Sequence, residues 1–274
     1  MLNIIGSDMP DNKNNNTDRA IVSTLSDFAW YNIEWLIDGI GRRTIKRGFH
    51  DLMSIGSQVI KRFEASTKSI CLTFDDGPNP DTTTELLSAL RRHNVQATLF
   101  CVGQHLIRYP SLAKAMLEDG HEIANHTMNH LNLYRVAPRQ LLNEVQLCQE
   151  AIETTCGVRN KLFRAPYGHF RSDLSRSKHL GIEHFVKWDV TPEWFETSPS
   201  RIAENILSFT KDGSIILLHD GLADQEPELS KFVGLAAANS IDLIVPPLKA
   251  LGFTFKTVSE QVDTVTAVTA SDFR

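Results

Sequence analysis

Cysteine is scarce in this sequence, and the few present form no framework. Cys71, Cys101, Cys148 and Cys156 are the only four in 274 residues, with no CxxC pair among them. In a chain of this length that pattern argues for buried thiols rather than a disulfide scaffold, with a Cys148–Cys156 bridge as the one sequence-local alternative. A basic excess is also missing. The formal net charge is −5 and the pI about 6.1. Short clusters at Arg42-Arg43 and Lys46-Arg47 do not make the broad basic face that nucleic-acid binding needs, so no nucleic-acid partner is expected. No uninterrupted apolar run approaches the roughly 18 residues of a membrane-spanning helix. The first residues, Met1-Leu2-Asn3-Ile4-Ile5, run into Ser, Asp, Pro and Asn without the basic start and apolar core of a secretory signal, so the expected location is cytoplasmic. Internal repeats are absent, and low complexity is confined to Asn14-Asn15-Asn16.

The remainder is ordinary for a globular protein, with 42% hydrophobic and 22% charged residues. The length suits one sizeable domain better than two. Residues 1–67 read as an N-terminal extension: a polar, disordered head, then two helices broken near Gly39 and Gly41. Phe28, Tyr31 and Trp35 follow helical spacing, and Ile45, Phe49, Leu52, Gly56, Val59 and Phe63 do the same. Packing against the main domain is the favoured role, because amphipathic helices usually cover cores. Membrane-surface contact is the competing one, since Arg42, Arg43, Lys46 and Arg47 border the apolar stripe.

From Ser69 onward, residues 68–274 alternate short β-rich runs with helical patterns. The runs are 69–74, 97–102, 121–124, 161–164, 182–188, 214–218 and 253–257. Between them lie helical patterns at 83–92, 111–119, 138–155, 171–180, 200–209 and 238–251, with Pro138 placed as a first-turn proline and Gly157 as a stop. This alternation calls for a parallel sheet with crossover helices, closing into a (β/α) barrel whose C-terminal strand tips line a site.

Four of those tips carry chemistry. In Thr73-Phe74-Asp75-Asp76-Gly77-Pro78 two carboxylates end a β-rich run. Their repulsion calls for a nearby cation or base, although Asp-Asp-Gly-Pro reads equally well as a solvated turn. In His126-Thr127-Met128-Asn129-His130 two histidines four apart fall on one face of a helical turn, so both imidazoles can point at one ion. Asp76, His126 and His130 together would make a three-ligand metal site with an open position. Phe163-Arg164-Ala165-Pro166-Tyr167-Gly168 and Ile215-Ile216-Leu217-Leu218-His219-Asp220 complete the set. Taken singly, Arg164 reads as a surface ion-pair partner and His219 as a structural histidine.

TFDDGP, HTMNH, RAPYG and ILLHD, in that order, resemble the motifs of the polysaccharide deacetylases, carbohydrate esterase family four, over about residues 68 to 258. The resemblance implies a distorted seven-stranded (β/α) barrel, a divalent ion and hydrolysis of N-acetyl groups from amino sugars. It assigns Asp75 as catalytic base and Asp76, His126 and His130 as metal ligands. Arg164 orients the base, the Tyr167 N–H donates to an oxyanion, His219 is the general acid and Leu217 walls the acetyl-methyl pocket. His169, just beyond, is expected in supporting packing. The Asp-His-His set suits zinc, with cobalt, nickel or manganese as alternatives.

One motif departs from the family. Where Asp-x-x-Asp-Trp is expected, the chain has Trp188-Asp189-Val190-Thr191-Pro192-Glu193-Trp194, so either the loop is shifted by one residue or the supporting carboxylate is missing. Asp189 is then expected to support Arg164 or His219, and Trp194 to stack on a sugar. The expected activity is N-deacetylation of a short chitin-like oligosaccharide, as in nodulation-factor deacetylases. Hydrolysis of another small amide or formamide is the alternative, and an inactive carbohydrate-binding barrel a weaker one, since base, ligands and acid are all retained. For the N-terminal extension, the packing role predicts that the full-length chain stays in the supernatant when spun with anionic vesicles in low salt; co-sedimentation would establish the membrane role instead.

Overall fold

The computed structural model describes residues 59–64 and 68–271; the polar head and the helices expected before Val59 lie outside them. In chain order the elements are β1 (Val59–Ile60), β2 (Ser69–Asp75), α1 (Thr83–Arg92), β3 (Thr98–Cys101), α2 (Gly103–Arg108) and α3 (Pro110–Glu118). There follow β4 (Glu122–Asn125), α4 (Pro138–Cys156), β5 (Leu162–Phe163), a 3₁₀ segment Ser172–Leu180 and β6 (His184–Val186). The chain continues with α5 (Pro199–Phe209), β7 (Ile215–His219), α6 (Pro227–Ala250), β8 (Thr254–Phe255) and α7 (Val258–Ser271).

Every strand pairing is parallel, in the order β1-β6-β5-β4-β3-β2-β7, with β8 beside the start of β2. The curled sheet is a distorted (β/α) barrel with seven strands in its circuit. Side chains alternate as strand geometry requires. Ile70, Leu72 and Phe74 of β2, Leu99 of β3 and Ile216 and Leu218 of β7 face outward, packing with Leu86, Leu90, Ile241 and Ile244 of the helices. The opposite faces put Cys71, Phe100, Ala124, Leu162, Val186 and Ile215 inside, with Val258 of α7 and Phe63. Because the inner face of β2 reads Cys71, Thr73, Asp75, the first polar tip arrives inside the barrel by periodicity alone.

Three expectations change. Val59 and Phe63, read as helical, belong to the sheet: β1 pairs with β6, and the Phe63 N–H donates to Gly213 O at 2.8 Å. Val and Ile are β-branched, and a sheet edge left open between β6 and β7 takes precedence over a period-four apolar pattern. The seam is held further by an antiparallel bridge between Arg62 and Ser214 and by Val190 beside Ile216. Helix α6 starts at Pro227, eleven residues before its apolar pattern becomes legible, and α2 and α7 gave no recognised signal. By length and composition α6 matches a membrane-spanning helix, but 56% of its apolar window is buried in the core. All four cysteines are free, so no Cys148–Cys156 bridge forms. Pro138 and Gly157 bound α4 as expected, Gly157 with φ 68°.

Gly213 shows how tightly the seam is drawn. Its φ is 77°, and a Cβ there would lie 1.9 Å from Phe63 O. Gly157 shares the left-handed backbone but faces open space. Gly157→Ala should therefore cost about 1 kcal/mol, the left-handed penalty alone. Gly213→Ala should cost clearly more in urea unfolding, because the first strand must also be displaced. Equal midpoints for the two variants would show that the seam contributes nothing.

Candidate functional site

The site is assembled at the C-terminal tips of β2, β4, β5 and β7. Asp75 ends β2, 4% exposed, and its Oδ1 accepts from Arg164 Nη1 at 2.7 Å. Arg164 follows β5 and is entirely buried. Its remaining donors reach Thr73 Oγ1 at 2.8 Å, Lys187 O at 3.0 Å and Val186 O at 3.4 Å. The guanidinium lies 4.0 Å from the Phe100 ring centroid. Burial pulls its pKa down while the Asp75 charge pulls it up, and an arginine remains cationic under such opposition. Asp75 is thus oriented by a cation that is itself held on every side.

Asp76, His126 and His130 come together with their donor atoms within 4.8 Å of one another. His126 Nδ1 lies 2.8 Å from Arg164 O. A carbonyl only accepts, so Nδ1 carries a proton, and in the neutral ring Nε2 carries a lone pair. His126 Nε2 faces Asp76 Oδ1 at 3.4 Å, and His130 Nε2 faces the same oxygen at 3.1 Å. Asp76 Oδ1 is buried without a hydrogen-bond partner, while Oδ2 accepts from the Ala223 N–H at 3.1 Å. Burial opposes a charge on Asp76, yet His130 and His126 hold its pKa well below the usual carboxylate range. Burial likewise opposes a charge on His130, and Asp76 raises its pKa regardless. Both shifts describe a pocket that favours positive charge between one carboxylate and two imidazoles, and the donor set fits a divalent ion.

The histidine pair does not lie on a helical turn. Thr127 and His130 have φ of 69° and 54°, and the segment is a loop. It is laced by Thr127 N to Asn125 Oδ1 at 2.9 Å, His130 N to Thr127 Oγ1 at 3.1 Å and Asn129 to Glu144 at 2.8 Å. These side-chain acceptors compete with helical bonding and win, and the rings still meet, 5.1 Å apart.

Parallel register sets His219 of β7 beside Asp75 of β2. Burial lowers its pKa, with Asp76 and Asp75 opposing. Leu217, buried, shares its inward face. Tyr167 has φ 57°; its ring centroid lies 4.9 Å from that of His130, its hydroxyl donates to Asp224 Oδ2, and no acceptor for its N–H exists among the described residues. His169 stacks on Tyr134 at 4.4 Å, in the supporting packing expected of it.

Asp189 is not brought to the site. Its carboxylate accepts from Ser214 Oγ at 2.9 Å and Ile215 N at 2.8 Å. Those donors open β7, at the opposite end from His219 and about 13 Å away at strand rise. A carboxylate that satisfies bare backbone and hydroxyl donors at a strand start serves the seam. Trp194 is 50% exposed and packs edge-on against Phe195 rather than against the triad. Sequence reasoning missed Ala223 and Asp224, which gave no signal beyond following His219-Asp220. It also missed Asp220, which accepts from the Thr82 and Thr83 hydroxyls and whose pKa burial pushes up to about 7.

Comparison with known proteins places the chain by sequence and by fold. The sequence profile described as polysaccharide deacetylase matches residues 63–185. A chitooligosaccharide deacetylase of Bradyrhizobium sp. (strain ANU 289) is 36% identical over 194 residues, 69% of this chain and 88% of that one. The peptidoglycan-N-acetylmuramic acid deacetylase PdaC of Bacillus subtilis (strain 168) is 31% identical over 212 residues, 77% of this chain but 42% of its own length. Among solved structures, the Bc1960 peptidoglycan N-acetylglucosamine deacetylase superposes with a TM-score of 0.69 at 27% identity, covering 77% of this chain and 95% of that one.

Replacing either histidine tests the cation pocket. His126→Ala and His130→Ala should each lose the bound ion by elemental analysis. Turnover should fall beyond the roughly 100-fold typical of outer-shell changes at metal sites. Full metal occupancy in both variants would rule out this triad as the ligand set.

Proposed function

Given that the chain belongs to the polysaccharide deacetylase family and is a deacetylase, we propose that it is metal-dependent and removes N-acetyl groups from a short chito-oligosaccharide or related amino-sugar oligomer, releasing acetate. The observation that carries this reading is the juxtaposition of the Asp75–Arg164 pair, the Asp76-His126-His130 pocket and His219 at one barrel mouth. The preference for a short oligomer is supported by the chitooligosaccharide deacetylase relatives, which this chain matches over most of their length.

A divalent ion held by Asp76, His126 and His130, proposed to be zinc, would supply Lewis acidity toward the amide carbonyl and toward water. The residues of the chain do the rest. Asp75, oriented by Arg164, accepts the proton of the attacking water. The Tyr167 N–H, without an acceptor of its own, donates to the oxygen of the tetrahedral intermediate. His219 protonates the departing nitrogen, because an amide anion does not leave. The burial that lowers the pKa of His219 makes its protonated form the stronger acid. Leu217 is placed two residues before it to exclude water from the acetyl methyl.

Acetate release from N-acetylglucosamine oligomers of graded length, with and without chelator, tests the reading directly; activity untouched by chelation would sink it. The division of labour is separable. A base must be ionised and an acid protonated together, so kcat/KM should be bell-shaped in pH. His219→Ala should keep its metal, flatten the basic limb and lose roughly 10²- to 10⁴-fold on the amide. Its loss on an activated ester, whose leaving group needs no proton, should be smaller. Equal losses on both substrates would mean that His219 is not the acid.

A further inference from the structure

The turn between β7 and α6 touches the site in three places. The Ala223 N–H donates to Asp76 Oδ2 at 3.1 Å. Asp224 accepts the Tyr167 hydroxyl on Oδ2, and its Oδ1 lies 3.9 Å from His130 Nδ1. That nitrogen is buried and has no hydrogen-bond partner among the described residues. The two histidines of the pocket therefore differ. His126 has its outer nitrogen fixed by Arg164 O at 2.8 Å, whereas the outer nitrogen of His130 has Asp224 Oδ1 at 3.9 Å.

An imidazole that offers one nitrogen to a cation is ordinarily oriented by an acceptor at the other, which fixes the tautomer and raises the basicity of the ligating atom. We propose that Asp224 is a positioning residue of the metal site, its Oδ1 orienting His130 through Nδ1 while its Oδ2 pins the side chain of Tyr167. The inference rests on the metal-site reading above. Closing 3.9 Å to a hydrogen bond takes a movement of about 1 Å, within reach of a side chain that is 41% exposed on a turn. A cation at Nε2 would draw the Nδ1 hydrogen toward the carboxylate. Because Asp224 keeps part of its surface in water, it does so without the desolvation cost of a buried charge. Ala223, the preceding residue, already holds Asp76, so one short turn would brace two of the three ligands.

Zinc titration into the chelator-stripped full-length chain tests this, with wild type, Asp224→Ala, Asp224→Asn and Tyr167→Phe compared. Wild type should bind one ion. Asp224→Ala should bind about 10- to 100-fold more weakly, and Asp224→Asn, which retains an acceptor oxygen, should recover much of the loss. Tyr167→Phe removes the hydroxyl but leaves the His130 contact, so its zinc affinity should stay within about twofold of wild type. Wild type failing to bind zinc would bring down the metal-site reading itself. Wild type binding zinc while Asp224→Ala binds it equally tightly would overturn this inference alone. A loss in Tyr167→Phe as large as in Asp224→Ala would overturn it too, since the tyrosine contact and not His130 would then carry the effect.

Discussion

A fully buried guanidinium inside the barrel is the constraint around which the site is arranged. Left unpaired, Arg164 would cost several kcal/mol. It is instead satisfied by Asp75, Thr73 and two backbone carbonyls, with the Phe100 ring against its face. Its side chain orients Asp75, the proposed base, and its own carbonyl holds Nδ1 of His126. Base and cation pocket are therefore coupled through one residue. Displacing β5 would disturb both together, and displacing β7 would move His219 along with the Ala223 N–H that holds Asp76.

The second constraint is backbone strain. Among the described residues six non-glycine positions have positive φ, and Asp76, Thr127, His130 and Tyr167 are four of them. Each such position costs on the order of 1 kcal/mol or more and persists only where its surroundings over-determine it. Here the surroundings are visible: the Ala223 N–H on Asp76, the Asn125 side chain on Thr127, the Thr127 hydroxyl on His130 and Asp224 on Tyr167. The rigid barrel supplies the stability against which these four residues are held out of their preferred wells.

Much of this was legible in the residues. Strands β2 to β7 and helices α1 and α4 lie within a few residues of their sequence patterns, because two-residue and 3.6-residue periodicities are direct records of which face is buried. The chemistry-bearing tips were legible because each interrupts an apolar run at its end. Failures came where a non-local partner outweighed local pattern. Val59-Ile60 took the open edge beside β6 in spite of helical spacing, and His126–His130 became a loop because Asn125, Thr127 and Glu144 offered its backbone better partners. Asp189 misled for a related reason. A carboxylate near a catalytic motif reads the same whether it faces the cleft or the far end of the next strand, and only the register of β7 tells them apart. Asp224 left no trace, since its relation to His130 exists only after two loops have met.

The seam at β1 bears on the order in which the molecule is made. Val59-Ile60 leaves the ribosome before every other strand of the circuit, yet its partner in β6 is more than a hundred residues downstream. Such a contact closes a long loop, whose entropy the pairing must offset. The same seam reaches the chemistry by a short chain of bonds: the Lys187 N–H donates to Ile60 O at 2.7 Å, and Lys187 O accepts from Arg164. The guanidinium therefore keeps this support in place only while the first strand holds its position beside β6.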